Sequence, residues 1–235
     1  MIDTVLFDLD GTLLPMDQEV FTKYYFGGLA KRVAPLGYDP KELVKGIWAG
    51  TEAMVKNDGS CTNEQAFWKR FSEIFGERVY GDEREFDQYY KNEFDLVVNA
   101  CAPTENSAKI VKLLKDRGFT VALATNPLFP NIATYKRTKW AGLDPDDFAL
   151  ITTYENSTYC KPNPKYYEMI LEKLGKNPEN CLMVGNDVRE DMEAAQKAGL
   201  EVFLLTDCLI NKDEKDLSAY NKGGFDELAK YIETL

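Results

Sequence analysis

Residues Thr4–Thr12 read TVLFDLDGT. The first four are β-branched, aliphatic or aromatic without interruption, the pattern of a strand buried on both faces. Asp8-Leu9-Asp10-Gly11-Thr12 then ends the run with turn-forming residues, so the strand delivers a polar loop carrying two aspartates. Further along the chain the same unit recurs, each time with a helix between. Asn106–Arg117 reads as a helix stopped by Gly118, and Thr120–Thr125 (TVALAT) as a strand. A helix over Asn131–Trp140 precedes a short strand Leu150–Thr153, and a helix over Pro164–Leu174 precedes Cys181–Val184 (CLMV). Glu190–Lys197 is a helix, with Gly199 as its stop, before the last strand Glu201–Leu205. Strands alternating with helices predict right-handed βαβ units on a parallel sheet, an α/β fold.

Between Asp17 and about Phe94 the alternation lapses. Pro40 opens one helix, Thr62 with Gln65 forms a capping box opening another through Phe75, and Asp82–Phe94 reads as a third. No strand pattern occurs there. The sequence therefore predicts a core of residues 1–16 and 98–235 with an all-helical cap, 17–97, inserted after the first strand. Its Tyr24, Tyr25, Phe26, Trp48 and Trp68 are candidates for cap core or for a stacking pocket. Gly27-Gly28 marks a kink or a close approach to the site.

In a parallel sheet, ligands bind beyond the carboxyl ends of the strands. The first strand ends in Asp8 and Asp10, and the second in Thr125, Asn126 and Pro127. Cys160, Lys161 and Pro162 follow the third; Gly185, Asn186, Asp187 and, one helical turn on, Asp191 follow the fourth. Taken singly these are a turn, a strand exit, a solvated lysine and a helix cap. Taken together they put carboxylates, a hydroxyl, an amide and a lysine on one rim, a set suited to a divalent cation and a phosphoryl group.

Composition narrows the chemistry. The 235 residues contain no histidine, which removes Ser-His-Asp and Cys-His catalysis and histidine zinc sites. Acid–base chemistry must come from carboxylates, lysine, tyrosine or metal-bound water, and oxygen ligands favour magnesium over zinc. The formal charge of −11 argues against nucleic acid and membrane surfaces. No apolar run approaches the roughly 18 residues of a membrane span, and MIDTVLFDLD lacks a basic region before an apolar one. Five scattered cysteines without a CxxC fit no disulfide framework. A cytoplasmic protein is expected.

DLDGTLL, ATN, KPNP and VGNDVREDMEAAQKAG resemble, in order and spacing, the four motifs of the haloacid dehalogenase (HAD) superfamily, in its phosphatase branch. The resemblance implies a Rossmann-like core with a helical cap between the first and second motifs. It implies hydrolysis of a small phosphorylated metabolite through an aspartyl phosphate, with Asp8 as nucleophile and Asp10 as general acid and base. Magnesium would be held by the Asp8 carboxylate, the Asp10 backbone carbonyl and Asp187. Thr125, the backbone around Asn126, and Lys161 would grip the phosphate, and Lys161 would also offset charge on Asp8. Many relatives carry an acid directly after the motif's glycine. Here Asn186 stands there, so the ligand falls to Asp187, with Asn186 binding a metal-bound water and Asp191 behind them or as a further ligand. Asp10 argues against a dehalogenase, which needs no proton donor at that position. A phosphomutase keeps both aspartates and is an alternative. A phospho-aspartate signalling or binding domain is another, of a different class, but such receivers are much shorter and lack the insert.

Overall fold

The strand Thr4–Phe7 is the centre of the molecule. The computed structural model describes every residue from Met1 to Leu235. Six parallel strands, β1 (Thr4–Phe7), β2 (Thr120–Leu123), β3 (Leu150–Ile151), β4 (Cys181–Gly185), β5 (Glu201–Leu205) and β6 (Asn221–Gly223), form one sheet in the order β3-β2-β1-β4-β5-β6. Phe7 is in register with Leu123 on one side and Val184 on the other. The chain builds outward from β1 to β3, then returns to β1's other edge with β4. The crevice at the carboxyl ends of β1 and β4 is where strand order reverses, the position at which such sheets bind ligands.

Alternation along each strand divides the core. Val5 and Phe7 of β1, with Leu182 and Val184 of β4, face a layer that includes Ile110 and Leu114 of α5 (Glu105–Asp116) and Leu228 of α9 (Phe225–Glu233). Leu6 and Met183 point the other way, to Tyr166 and Ile170 of α7 (Pro164–Leu174) and Met192. Both faces are covered, which explains the unbroken apolar runs. The remaining core helices are α6 (Asn131–Trp140) and α8 (Ala194–Lys197), the latter entered through a π-helical turn, Val188–Glu193.

Four helices lie between β1 and α5: α1 (Gln18–Val33), α2 (Pro40–Val55), α3 (Asn63–Phe75) and α4 (Val79–Asn92), followed by a 3-10 run Phe94–Ala100. They have an aromatic core of their own, including Tyr25, Trp68, Phe71, Phe86 and Tyr89. Helices α2 and α3 touch closely because Gly46 and Gly50 have no side chain. A Cβ at Gly46 would lie 2.3 Å from the Phe75 ring, and one at Gly50 2.5 Å from Phe67. The two chain crossings between insert and sheet are tied together, Asp17 N donating to Ala100 O (3.0 Å) and Ala102 N to Pro15 O (2.7 Å). A second attachment is the start of α3. Asn63 N donates to Ser157 O (2.8 Å), and its side-chain amide reaches Pro127 O and Tyr159 O.

Several sequence readings differ from this arrangement. A sixth strand and α9 follow the last predicted strand; β6 (NKG) has no apolar residue, because it is a solvent-facing edge. A further helix, α1, is opened by Asp17, and α4 starts three residues before Asp82 and stops at Asn92. The predicted strands through Thr125 and Thr153 end at Leu123 and Ile151, since the chain turns into the rim there. Gly28 serves packing within the insert: a Cβ would meet Tyr89 at 2.9 Å.

Candidate active site

The loop after β1 is built around Gly11, whose φ of +89° suits glycine and where a Cβ would collide with the Asn186 amide at 2.4 Å. That close approach brings the first and fourth motifs together. Thr12 Oγ1 lies 3.1 Å from Asp8 Oδ2 and 3.2 Å from Asn186 Oδ1. One hydroxyl has one proton, so two acceptor oxygens converge where only one can be served. Asp8 is 7% exposed, and its other oxygen accepts from Lys161 Nζ at 2.8 Å.

Lys161 is 1% exposed and bridges two carboxylates, donating also to Asp191 Oδ1 at 2.6 Å. Burial opposes the ammonium, but Asp191 and Asp8 hold it well above the usual lysine value. Burial also pushes the Asp191 carboxyl up, to about 7, against the pull of Lys161. Asp191 Oδ2 accepts from the backbone amides of Asn186 and Asp187, both at 3.0 Å. Gly185 permits this, because a Cβ there would lie 2.3 Å from the Asp191 carboxyl. Asp191 therefore positions Lys161 and the 186–187 backbone together.

Asp10 faces a different environment. Its Oδ2 forms an ion pair with Arg137 Nη1, and its Oδ1 is buried without a protein partner. Burial raises the Asp10 carboxyl above its ordinary value; Arg137 opposes the rise and Asp8 adds to it. Arg137, itself 1% exposed, lies 4.4 Å over the Phe129 ring and can donate to Ala133 O and Thr134 Oγ1. Thr125 is buried, its carbonyl accepting from Thr152 Oγ1 and Tyr166 OH, each at 2.7 Å. Asn126 Nδ2 donates to Glu190 Oε2 at 3.0 Å, leaving Asn126 Oδ1 buried without a protein partner.

The rim thus joins Asp8, Thr12, Lys161, Asn186 and Asp191 by direct hydrogen bonds, with Asp10 under Arg137 beside them. Asp187 is held otherwise: its Oδ1 caps the following turn, accepting from Arg189 N (2.8 Å) and Glu190 N (2.9 Å). Nowhere do three or more Asp, Glu, Cys or His side chains gather as a metal site. An ion on this rim would need a mixed oxygen set, to which the Asp8 carboxylate and the Asn186 amide oxygen contribute hard donors of the kind magnesium takes. Arg137, Thr12 and Glu190 were not singled out from the sequence. Arg137 shares the buried face of α6 with the small residues Ala133, Thr134 and Thr138.

The chain belongs to the haloacid dehalogenase-like hydrolase family, whose profile matches residues 2–199. It is a hydrolase of that family, and named phosphatases are among its relatives. It is 27% identical over 199 residues to the pyrophosphatase PpaX of Bacillus pumilus, covering 84% of this chain and 80% of that one. It is 25% identical over 242 residues to the glyceraldehyde 3-phosphate phosphatase of Methanothermobacter thermautotrophicus, covering 96% and 94%. A HAD phosphatase structure from Thermococcus onnurineus superposes with a TM-score of 0.61 at 19% identity, covering 98% of both chains. A 2-haloacid dehalogenase from Pseudomonas syringae gives 0.62 at 17% identity, covering 100% of this chain and 99% of that one. The shared fold leaves the reaction open, so the choice between phosphate and halide rests on the rim.

Proposed function

We propose that the protein is a magnesium-dependent phosphatase, hydrolysing a small phosphate monoester through an aspartyl phosphate on Asp8. The observation that carries this is the contrast between two aspartates two residues apart. Asp8 is engaged by an ammonium and a hydroxyl. Asp10 is half-buried, its carboxyl is raised, and one of its oxygens is buried and free of protein partners. Carboxylates in separated environments can divide nucleophile from proton donor. An Asp8 oxygen attacks phosphorus in line, and the bond to the leaving alcohol breaks as Asp10 supplies that oxygen's proton. Asp10 then takes a proton from water, whose oxygen attacks phosphorus, and the bond to Asp8 breaks. Lys161 offsets charge on Asp8 and on the phosphoryl group, while the Thr125 hydroxyl and the backbone at Asn126 bind phosphate oxygens. Arg137 fixes Asp10 by one oxygen and leaves the other for the proton.

Bound magnesium would neutralise charge on the phosphoryl oxygens. We assign it to the Asp8 carboxylate, the Asp10 backbone carbonyl and a third oxygen from the Asn186–Asp187 pair. The shared Thr12 contact supports Asn186 as its source, while Asp187 Oδ1 already caps the following turn. Residues 17–97 are read as the cap. No helix is long and apolar enough to cross a membrane.

A magnesium titration of three variants tests the roles. Asp10→Asn keeps the backbone carbonyl, so half-maximal magnesium stays near the wild-type value while turnover falls about 10²–10⁴-fold. Asn186→Ala raises the magnesium required and is partly rescued by excess metal. If Asp187→Asn shows that rescue and Asn186→Ala does not, Asp187 is the ligand. Full activity in excess chelator would remove magnesium from the proposal altogether.

A further inference from the structure

Asp10 forms part of the wall of a cavity of about 270 Å³ that extends into the insert. The proton from Asp10 goes to the leaving oxygen, so the body of the leaving group must lie on Asp10's side of the phosphate, inside this cavity. The other walls are mostly aromatic, among them Phe26, Trp48, Phe67 and Trp68. Of the twenty lining residues none is lysine or arginine, and the only charged ones are Asp10 and Asp87. A phosphate or carboxylate buried there would find no unpaired cation, since Arg137 behind the wall is engaged by Asp10, and would face Asp87, a heavy desolvation cost without repayment.

Resting on the phosphatase reading above, we infer that the preferred substrate is a monoester of an apolar alcohol with an aromatic ring or equivalent bulk, and no second anionic group. The volume is slightly below the roughly 300 Å³ at which small-molecule pockets usually begin, which suits a single ring on a short chain. Phe26 and Trp48, with ring centroids 5.7 Å apart, are two of the aromatic surfaces offered to such a ring. Trp48 is 54% exposed, accessible to an entering ligand. The same absence of cations disfavours a phosphomutase, which must hold a second phosphate, and disfavours pyrophosphate, whose leaving group is itself an anion.

The test compares kcat/KM for 3-phenylpropyl phosphate, methyl phosphate and pyrophosphate, with magnesium, and uses acetyl phosphate as a small probe of the chemistry alone. The two alkyl esters leave as similar alcohols, so their ratio reads the cavity. Burying the phenylpropyl group should favour the larger ester by about a hundredfold, with pyrophosphate the poorest. Trp48→Ala should reduce the ratio of the two esters about tenfold. Saturation-transfer NMR with 3-phenylpropanol reads binding without turnover. Hydrolysis of acetyl phosphate with methyl phosphate or pyrophosphate equal to the phenylpropyl ester overturns the inference and leaves the phosphatase reading standing. Binding of 3-phenylpropanol, weakened by Trp48→Ala, with no ester hydrolysed supports the apolar site and overturns the phosphatase reading. No binding and no preference overturns the inference.

Discussion

Asp8→Asn should leave a folded protein with almost no turnover, a loss of roughly 10⁴–10⁶-fold in kcat by analogy with removal of other nucleophiles. The substitution keeps the shape and one acceptor oxygen, so Thr12 and Lys161 retain something to bind. It removes the charge that attacks phosphorus. Folding should survive because Lys161 still has Asp191 at 2.6 Å, a neutral buried pair in place of one ammonium between two carboxylates. A thermal melt within a few degrees of wild type, together with the lost turnover, separates chemistry from stability. Near-normal kcat in Asp8→Asn would mean that another group attacks the phosphorus.

Lys161→Met should damage both stability and activity. Methionine fills most of the volume but leaves Asp8 and the 1%-exposed Asp191 with no cation between them. Breaking a buried pair in this way costs about 3–5 kcal/mol. In a chain of this size each kcal/mol moves Tm by roughly 2–4 °C, so a drop of about 10 °C is expected in chelator. Turnover should fall by about 10²-fold or more, because charge on the attacking and transferring groups is no longer offset. Adding Asp191→Asn removes one of the two stranded carboxylates and should recover much of the Tm without recovering kcat. A Lys161→Met protein that melts like wild type would show that Asp8 and Asp191 do not depend on this ammonium.

The parallel core and its rim were legible in the sequence because buried strands leave a continuous apolar signature that ends abruptly in polar residues. TVLF before Asp8 and CLMV before Gly185 are such runs, and β1 and β4 are adjacent in the sheet. The sequence alone therefore puts Asp8, Lys161 and Asp191 on one rim. That Asn186 rather than Asp187 turns toward Thr12 is less accessible, since it depends on how the chain leaves the strand. Arg137 was hidden by its neighbours. Lys136 and Lys139 make α6 read as a solvated helix, and only tertiary packing shows that Arg137 turns inward to Asp10. The insert's aromatics carried a double meaning that spacing cannot resolve. Phe71 and Tyr89 are core, whereas Tyr25 and Trp68 both pack in that core and line the cavity, and Tyr24 is exposed. The polar edge strand β6 carries no apolar pattern to read.

Covalent catalysis at Asp8 is tested most directly by acid-quenching the enzyme during turnover of a small phosphate ester with magnesium and mapping the phosphoryl group by mass spectrometry. The adduct should lie on the peptide containing Asp8. It should accumulate further in Asp10→Asn, where breakdown has lost its base, and be absent from Asp8→Asn. Product formation in the same interval with no phosphoryl group on Asp8, in wild type or in Asp10→Asn, would contradict a covalent intermediate there.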